Sequence, residues 1–262
     1  MKKIFGPLTI AATIGFISLE SQAKGNMSGA FGTGYAFTSR HTALSVNPAG
    51  LTSGDSPMSL YGAYSFGNTF DETSDDIIPA AFTGTSGKVG YGVATSYPLA
   101  DGSDPTYSGG LGFLLGTLSL GFSVDYVSDT VLNSGLQLDL GSMRLGFVFN
   151  NLTNADSGSF GVGLGFGSGP AQFEVSWTQN LPMDPMFASL GFGFAYNATP
   201  LSFLARYDAA YFNDEFMFGD GALQTGVELG LGKSLALSAI VGYSLAADSD
   251  AISYLVGARA KF

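Results

Sequence analysis

Residues 160–167 read FGVGLGFG, in which four large apolar residues alternate with four glycines. Successive side chains of a β-strand point to opposite faces, so this alternation places every large residue on one face. The stretch 118–127, LSLGFSVDYV, alternates in the same way, with serine, glycine and aspartate between its apolar residues. Segments of about ten residues with this pattern are typical of tilted strands that cross a bilayer.

The same period of two recurs along the chain and predicts fourteen strands. They lie at 57–67, 77–86, 89–97, 107–115, 118–127, 132–140, 143–150, 159–167, 171–179, 187–196, 201–211, 221–230, 235–244 and 251–262. The predicted fold class is therefore all-β, a transmembrane antiparallel β-barrel of about 14 strands. A secreted β-sandwich is the alternative, but a water-soluble sandwich has no reason to place so many aromatic residues on one face and glycine on the other.

The connections between the predicted strands alternate in length, as expected for a barrel whose two termini lie in the periplasm. Long outer loops are predicted after the odd-numbered strands, including Asn68–Asp76, Pro98–Thr106 and Phe212–Asp220. Short inner turns such as Gly87–Lys88 and Gly116–Thr117 follow the even-numbered strands. Among these connections, acidic residues fall in the long loops and not in the inner turns, and this supports the topology because charge is independent of the apolar alternation.

The first 23 residues have the pattern of a cleaved secretory signal peptide. Two lysines precede an apolar stretch from Ile4 to Leu19, and small residues follow at Ser21 and Ala23. A membrane-anchor helix is the alternative, but Pro7 and other breaks leave too short a run for the roughly 20 apolar residues of a spanning helix. The predicted domains are a signal peptide at 1–23, an N-terminal segment at 24–56 and a barrel at 57–262.

The composition argues against several kinds of function. The chain has no cysteine, so it has no lipid-anchoring cysteine, disulfide or thiol chemistry. Its formal net charge of −11 disfavours a nucleic-acid partner, since phosphate binding needs an excess of Lys and Arg. The single histidine, His41, precedes the barrel and has no neighbouring serine on an outer loop, so we expect no enzyme, metal site or cofactor.

The C-terminal strand ends in an aromatic residue, with Phe262 and Tyr254 on its apolar face. This ending resembles the C-terminal signal by which outer-membrane barrels of Gram-negative bacteria are recognised for assembly. The resemblance implies an outer-membrane location and the barrel assembly machinery as a partner. It also implies contact with outer-membrane lipid and lipopolysaccharide.

Outward-facing aromatic residues near the outer ends of the strands predict a girdle at the membrane interface. They are Tyr97, Tyr126, Trp177, Tyr211, Tyr243 and Tyr254. The alternative is that aromatic residues simply favour strands, but their clustering at one height favours the girdle.

The segment before the barrel contains Asn47-Pro48-Ala49, followed by Gly50. It resembles the N-terminal plug of the long-chain fatty-acid transporter (FadL) family, which carries an Asn-Pro-Ala element just before the first of fourteen strands. The resemblance implies a plug in the lumen and passage of hydrophobic or amphipathic solutes. From the residues alone, Asn47-Pro48 is equally an ordinary turn, in which proline fixes φ and asparagine bonds the local backbone.

Ionisable residues on the inward face predict a seat for this plug, because such groups are costly in a barrel unless they are paired or hydrated. They are Asp139, Arg144, Glu174, Arg206, Glu228 and Arg259. A charged pore constriction is the competing use of the same residues. The other inward residues are mostly Gly, Ala and Ser, which either leave an open lumen or make room for the plug.

Two classes of function fit these patterns. The first is a passive, porin-like or FadL-like channel for small or hydrophobic solutes. The second is a structural outer-membrane protein whose barrels form homo-oligomers that organise or enclose lipid, with little transport through the lumen. An outer-membrane enzyme is disfavoured by the histidine argument.

Overall fold

A computed structural model describes most of the chain from residue 34 onwards. The described residues are 34–38, 40, 42–54, 56–68, 76–100, 102–127, 129–154, 157–167, 170–181, 187–198, 200–212, 215–245 and 252–262. The predicted signal peptide, residues 24–33 and His41 lie outside these ranges. No helix within the described ranges is long and apolar enough to span a bilayer.

Fourteen antiparallel strands form a closed barrel, and each strand pairs with its neighbours in sequence. Strand β1 pairs with β14 from Ser59–Lys261 to Asn68–Ile252, which closes the wall. The prediction of an all-β, fourteen-stranded antiparallel barrel is confirmed. The strands are β1 (Met58–Asn68), β2 (Ile77–Ser86), β3 (Val89–Pro98), β4 (Thr106–Leu115), β5 (Leu118–Tyr126), β6 (Thr130–Asp139), β7 (Met143–Asn150), β8 (Gly158–Phe166), β9 (Ala171–Leu181), β10 (Phe187–Asn197), β11 (Leu201–Phe212), β12 (Glu215–Leu231), β13 (Leu235–Ser244) and β14 (Ile252–Lys261).

The outward face of the barrel is a belt of exposed apolar side chains. Val93, Phe173 and Val256 on three separate strands are each 54–58% exposed. An exposed apolar surface of this extent is unfavourable in water and suits the hydrocarbon of a membrane. The alternation seen in the sequence therefore corresponds to a lipid-compatible outer face and a separate inner face.

The two ends of the barrel differ in their connections. At one end, called the turn end, short connections join β2 to β3, β4 to β5 and the later even-odd pairs. Gly87 and Gly116 adopt φ of +62° and +68° in these turns, a left-handed conformation that favours glycine. The opposite end, called the loop end, carries the longer connections. The chain enters β1 and leaves β14 at the turn end.

One predicted loop is wrong. The stretch Phe212–Asp220 was expected to be an outer loop, but β12 begins at Glu215 and pairs with β11 through Phe212–Glu215, Tyr211–Phe216 and Ala210–Met217. A β-bulge follows, because the register shifts between Asp208 and Ala210. The extra residues of the bulge, between Met217 and Ala222, break the period of two, which is why alternation alone placed the start of β12 too late, at residue 221.

The described residues 34–57, called the inner segment, lie against the inward face of the wall. Their regular part is a short 3₁₀ helix, Pro48–Thr52, which contacts strands β2 to β6. Asn47 caps this helix by accepting a hydrogen bond from the N–H of Ala49 at 3.1 Å. Ala43, Ala49 and Leu51 are fully buried.

Candidate functional site: the barrel lumen

Glycines line the wall where the inner segment lies. A Cβ atom added to Gly121 would stand 2.1 Å from the carbonyl carbon of Pro48, and one added to Gly146 would stand 2.0 Å from the carbonyl oxygen of Tyr35. Gly90 and Gly135 are equally close to Leu51 and Asn47. No real Cβ fits at such distances, so these inward glycines are the space that the inner segment occupies. On this side of the lumen the small inward residues therefore make room for the inner segment and do not leave open space.

Asn47 joins the inner segment to the wall. Its side-chain amide donates to the carbonyl oxygen of Tyr35 at 2.9 Å and to that of Leu136 on β6 at 3.3 Å. The same side chain caps the 3₁₀ helix through its oxygen. Asn47 therefore serves both as the local turn residue expected from the sequence and as a contact to the barrel.

Glu174 on β9 holds the start of the inner segment. Its carboxylate accepts hydrogen bonds from the N–H groups of Ala36 and Phe37, both at 3.2 Å, and the residue is 5% exposed. Gln137 on β6 donates to the carbonyl oxygen of Tyr35 at 2.9 Å. Backbone groups that would otherwise be unpaired inside a barrel are therefore satisfied by the wall.

Tyr35 extends this contact between the inner segment and the wall. Its hydroxyl lies 2.7 Å from Thr178 Oγ1, and burial raises the pKa of the Tyr35 hydroxyl above its ordinary value. The hydroxyl therefore stays protonated at physiological pH and remains able to share a hydrogen bond with Thr178. Arg40 joins the inner segment to β2 by donating to Thr85 Oγ1, and it joins two parts of the segment by donating to Ser56.

The remaining predicted seat residues pair within the wall. Arg206 makes a two-pronged contact with Asp208 at 2.7 Å for both nitrogens and donates to Ser176 at 2.9 Å. Arg259 pairs with Glu228 at 2.8 Å, and both side chains are nearly buried. These pairs thus lie in the inward face that the sequence indicated, but their charged groups neutralise one another within the wall.

Asp139 and Arg144 form a third ion pair, at 2.8 Å, near the turn end. Both side chains are much more exposed than those of the other pairs, at 46% and 39%. The Arg144 guanidinium also lies 5.3 Å from the ring centre of Phe37, over the inner segment. Of this pair, Arg144 contacts the inner segment, whereas the described hydrogen bonds of the Asp139 side chain are to Arg144 and to the N–H of Gly141.

A cavity of about 540 Å³, called the vestibule, opens at the turn end beside strands β9 to β14. Glu228, Arg259 and Lys261 line it together with Gln172 and Asn197. It lies on the opposite side of the lumen from the 3₁₀ helix, which contacts β2 to β6. The described residues contain no cluster of three or more acidic or histidine side chains that could hold a metal ion.

The predicted girdle residues lie on the outward face. Trp177, Tyr211 and Phe216 pack edge to face with ring centres 4.9–6.3 Å apart, and Tyr97 and Tyr126 are each 54% exposed. The rest of the set keeps the same parity, since Tyr243 pairs in register with Ile252, and Tyr254 stacks on Phe66 with ring centres 5.2 Å apart. The girdle role and the assembly signal at Tyr254 and Phe262 remain predictions.

The inward face also carries four large residues that the sequence pattern did not single out. Tyr61, Leu204, Ile240 and Leu255 are buried inside the barrel in one packed cluster with Ala81 and Ala195. Each is a single large apolar residue among small or polar inward neighbours of its own strand. The alternation within each strand is enough to place each of them on the inward face. That they pack against one another depends on the register of several strands, which one strand does not show.

Solved structures of channels share this fold at low sequence identity. The CymD monoaromatic hydrocarbon channel is 12% identical, with a TM-score of 0.69 over 92% of this chain and 96% of that one. The P. putida toluene transporter TodX is 12% identical, with a TM-score of 0.62 over 91% and 98%. A mutant of the Rh. blastica porin is 10% identical, with a TM-score of 0.51 over 78% and 99%. No known family and no curated protein matches the chain by sequence.

These likenesses define the class of the fold. CymD and TodX are aromatic hydrocarbon channels of the FadL family, so the resemblance to that family and to porins is confirmed at the level of the barrel. The chain thus has the fold of an outer-membrane channel.

Proposed function

We propose that the protein is a passive outer-membrane channel for small or hydrophobic solutes, and that its inner segment is a plug. The fold is that of channels and porins, and the apolar outer belt suits a membrane. The turn end faces the periplasm, because a chain exported by a signal peptide enters the outer membrane from that side and both barrel termini lie at the turn end. The host is a Gram-negative bacterium, and the C-terminal strand is the segment read by its assembly machinery.

One observation carries the plug assignment: the inner segment is buried against glycines and held there by hydrogen bonds. Glu174, Gln137 and Asn47 supply several of these bonds. A net hydrogen bond contributes about 0.5–1.5 kcal/mol, and one to a carboxylate such as that of Glu174 about 1.5–3 kcal/mol, because water replaces it when the segment leaves. The described residues of the inner segment contribute no strand to the wall, so the segment can move aside without unfolding the barrel, as a gated channel requires.

A reversible covalent lock tests the plug. Thr52 Oγ1 of the inner segment lies 2.8 Å from Ser119 Oγ on β5, and the chain has no native cysteine. Changing both residues, Thr52→Cys with Ser119→Cys, places two thiols close enough to form a disulfide. Uptake of toluene by Gram-negative cells producing this variant measures transport, because the lipopolysaccharide leaflet is itself a barrier to apolar solutes.

We expect the oxidised variant to lose uptake and a reducing agent to restore it. The single variants, Thr52→Cys and Ser119→Cys, are matched controls that change the same side chains without a lock, and their uptake stays at the level of the original protein under both conditions. Equal uptake by the oxidised and reduced double variant would show that the inner segment does not need to move.

A structural role is a second candidate, favoured by the burial of inward residues on both sides of the lumen. In that role homo-oligomeric barrels organise outer-membrane lipid and the lumen is a packed core. Native mass spectrometry of protein extracted in mild detergent, together with the toluene uptake measurement, distinguishes the two roles. A heat-labile multimer that retains lipid, in cells that show no toluene uptake, supports the structural role. A monomer with uptake supports the channel.

A further inference from the structure

The wall itself fills the side of the lumen that the 3₁₀ helix does not contact. Tyr61, Leu204, Ile240 and Leu255 face inward from β1, β11, β13 and β14. The side chains of Ala81 and Ala195 complete the same packed cluster. The cluster thus spans the neighbouring strands from β10 through β14 and β1 to β2.

Strand register places three of these side chains in one row. Leu204 is paired with Gly226, Gly226 with Ile240, and Ile240 with Leu255, across β11 to β14. A Cβ at Gly226 would lie 2.9 Å from Ile240 Cγ1, so the glycine leaves the space into which Ile240 packs. The row is therefore a continuous apolar layer and not a set of separate contacts.

The burial of this layer shows that water does not reach it. Tyr61, Leu204 and Leu255 are 1–3% exposed and Ile240 is 6% exposed, although all four point into the barrel. Residues that line an open, water-filled pore would be exposed. Wall side chains accordingly close this side of the lumen to water.

Polar groups lie on both sides of the layer. On β12, Gln224 lies two residues towards the loop end from Gly226, and Glu228 lies two residues towards the turn end, in the vestibule. On β11, Arg206 follows Leu204 towards the loop end. A solute crossing on this side would pass from a polar region through an apolar layer into another polar region.

We infer that this cluster, called the apolar gate, keeps water and ions from crossing this side of the lumen, so that the wall itself is a barrier to ions in addition to the inner segment. The inference rests on the proposed channel function. An apolar constriction excludes water and ions by dewetting, since an ion entering it loses its hydration without a replacement.

Polar substitution of the gate tests the inference in planar bilayers. In Leu204→Asn with Ile240→Asn, the gap can hydrate, and we expect the potassium chloride conductance to rise roughly tenfold or more. Val241→Asn is the matched control, because Val241 is adjacent to Ile240 but faces outward and is 38% exposed. Its conductance stays at the original level. The double variant is shown to be folded by its shift in gel mobility on heating. Unchanged conductance in that folded variant would overturn the inference.

A thiol measurement keeps the test decisive if the double variant does not fold. The single variant Ile240→Cys introduces the chain's only thiol inside the gate, and Lys261→Cys introduces one in the vestibule. A charged methanethiosulfonate reagent is expected to modify position 261 at least about tenfold faster than position 240. Equal rates at the two positions would show that the gate is wet and would overturn the inference.

The gate and the plug can fail separately. The two asparagine substitutions are also made in the Thr52–Ser119 disulfide variant, and conductance is measured with the disulfide closed. A raised conductance there supports the gate even if the lock has no effect on toluene uptake, in which case the plug proposal alone fails. An unchanged conductance with the lock closed and a large one after reduction would assign the barrier to the inner segment and overturn the gate.

Discussion

The two sides of the lumen are filled in opposite ways. Around the 3₁₀ helix, the wall presents glycines such as Gly121 and Gly146, and the space belongs to a separate segment of chain. From β10 round to β2, the wall presents Leu204, Ile240 and Tyr61, and these side chains fill the space themselves. The size of an inward residue therefore follows from what lies opposite it and not from the preferences of a strand.

The difference has an energetic consequence. Each large side chain of the apolar cluster contributes about 1.5–3 kcal/mol by leaving water, and none of it can leave without unfolding a strand. The inner segment also buries apolar side chains, Leu44 and Leu51, and is held by hydrogen bonds that water can replace, but its described residues contribute no strand to the wall. The glycine-lined side is therefore the side that can open as a unit, whereas the apolar side is part of the stability of the barrel.

The largest expected effect concerns the buried ion pair on the apolar side. Glu228→Ala leaves Arg259, whose side chain is 11% exposed, without its partner at 2.8 Å. Removing one member of a buried pair typically lowers the free energy of unfolding by about 3–5 kcal/mol. Both residues line the vestibule, where water can reach them, so we expect the lower value of about 3 kcal/mol. Urea unfolding in phospholipid vesicles, followed by the fluorescence of the single tryptophan Trp177, measures the loss.

The matched control removes both charges. Glu228→Ala with Arg259→Ala leaves no unpaired charge, so its free energy of unfolding is expected to recover part of the loss. If adding Arg259→Ala to Glu228→Ala lowers the free energy of unfolding by as much as Arg259→Ala does alone, the two residues act independently. That outcome would contradict the view that this side is held by its own internal contacts.

The second effect concerns the glycine-lined side. In Gly121→Ala the new methyl group meets the backbone of Pro48 and Ala49 at 2.1–2.2 Å, so the inner segment must shift. Overpacking of this kind costs about 2 kcal/mol, which raises the population of the displaced segment roughly 30-fold. Arg40 is buried in the segment, so the rate of tryptic cleavage after Arg40 reports the displacement.

Gly62→Ala is the control for this prediction. Gly62 also lies in a strand, but a Cβ there has no atom within 4 Å. We expect its cleavage rate and its free energy of unfolding to match those of the original protein. Equal cleavage of the two variants would show that the inward glycines are not what admits the inner segment, and the contrast between the two sides would lose its basis.

The strands were predictable because their signal is local. Alternation within ten residues identified the barrel and its fourteen strands, and it failed at the start of β12 because a bulge between Met217 and Ala222 changes the parity. The occupants of the lumen were not predictable in this way. Tyr35 meets Thr178 across 143 residues of sequence and Asn47 meets Leu136 across 89, so no periodic pattern carries those contacts.

The ionisable residues show the same division. Their inward placement followed from parity, but the partner of each charge depends on strand register and on the path of the inner segment. Glu174 binds the backbone of Ala36 and Phe37, whereas Arg206 and Arg259 bind carboxylates of the wall. Sequence alone could not separate a charge that holds the inner segment from one that pairs within its own sheet.

The smallest expected effect separates these two uses at a single ion pair. Asp139→Asn removes one charge of an exposed pair, which is worth at most about 1 kcal/mol, and keeps the side-chain oxygen that accepts from Gly141. Arg144→Ala also removes the guanidinium that lies over Phe37 of the inner segment. A cation–π contact at an exposed site contributes about 0.5–1 kcal/mol, so cleavage after Arg40 is expected to be about two- to fivefold faster in this variant.

In Asp139→Asn the same cleavage is expected to stay at the original rate, because Arg144 keeps its place over the ring. If both variants speed cleavage equally, the ion pair itself holds the inner segment, as the predicted salt-bridged seat would require. If only Arg144→Ala does, the segment is held by contacts that reach it directly, and the wall charges serve the wall. The comparison is sensitive because both substitutions lie in the same ion pair and differ only in whether the removed group reaches the inner segment.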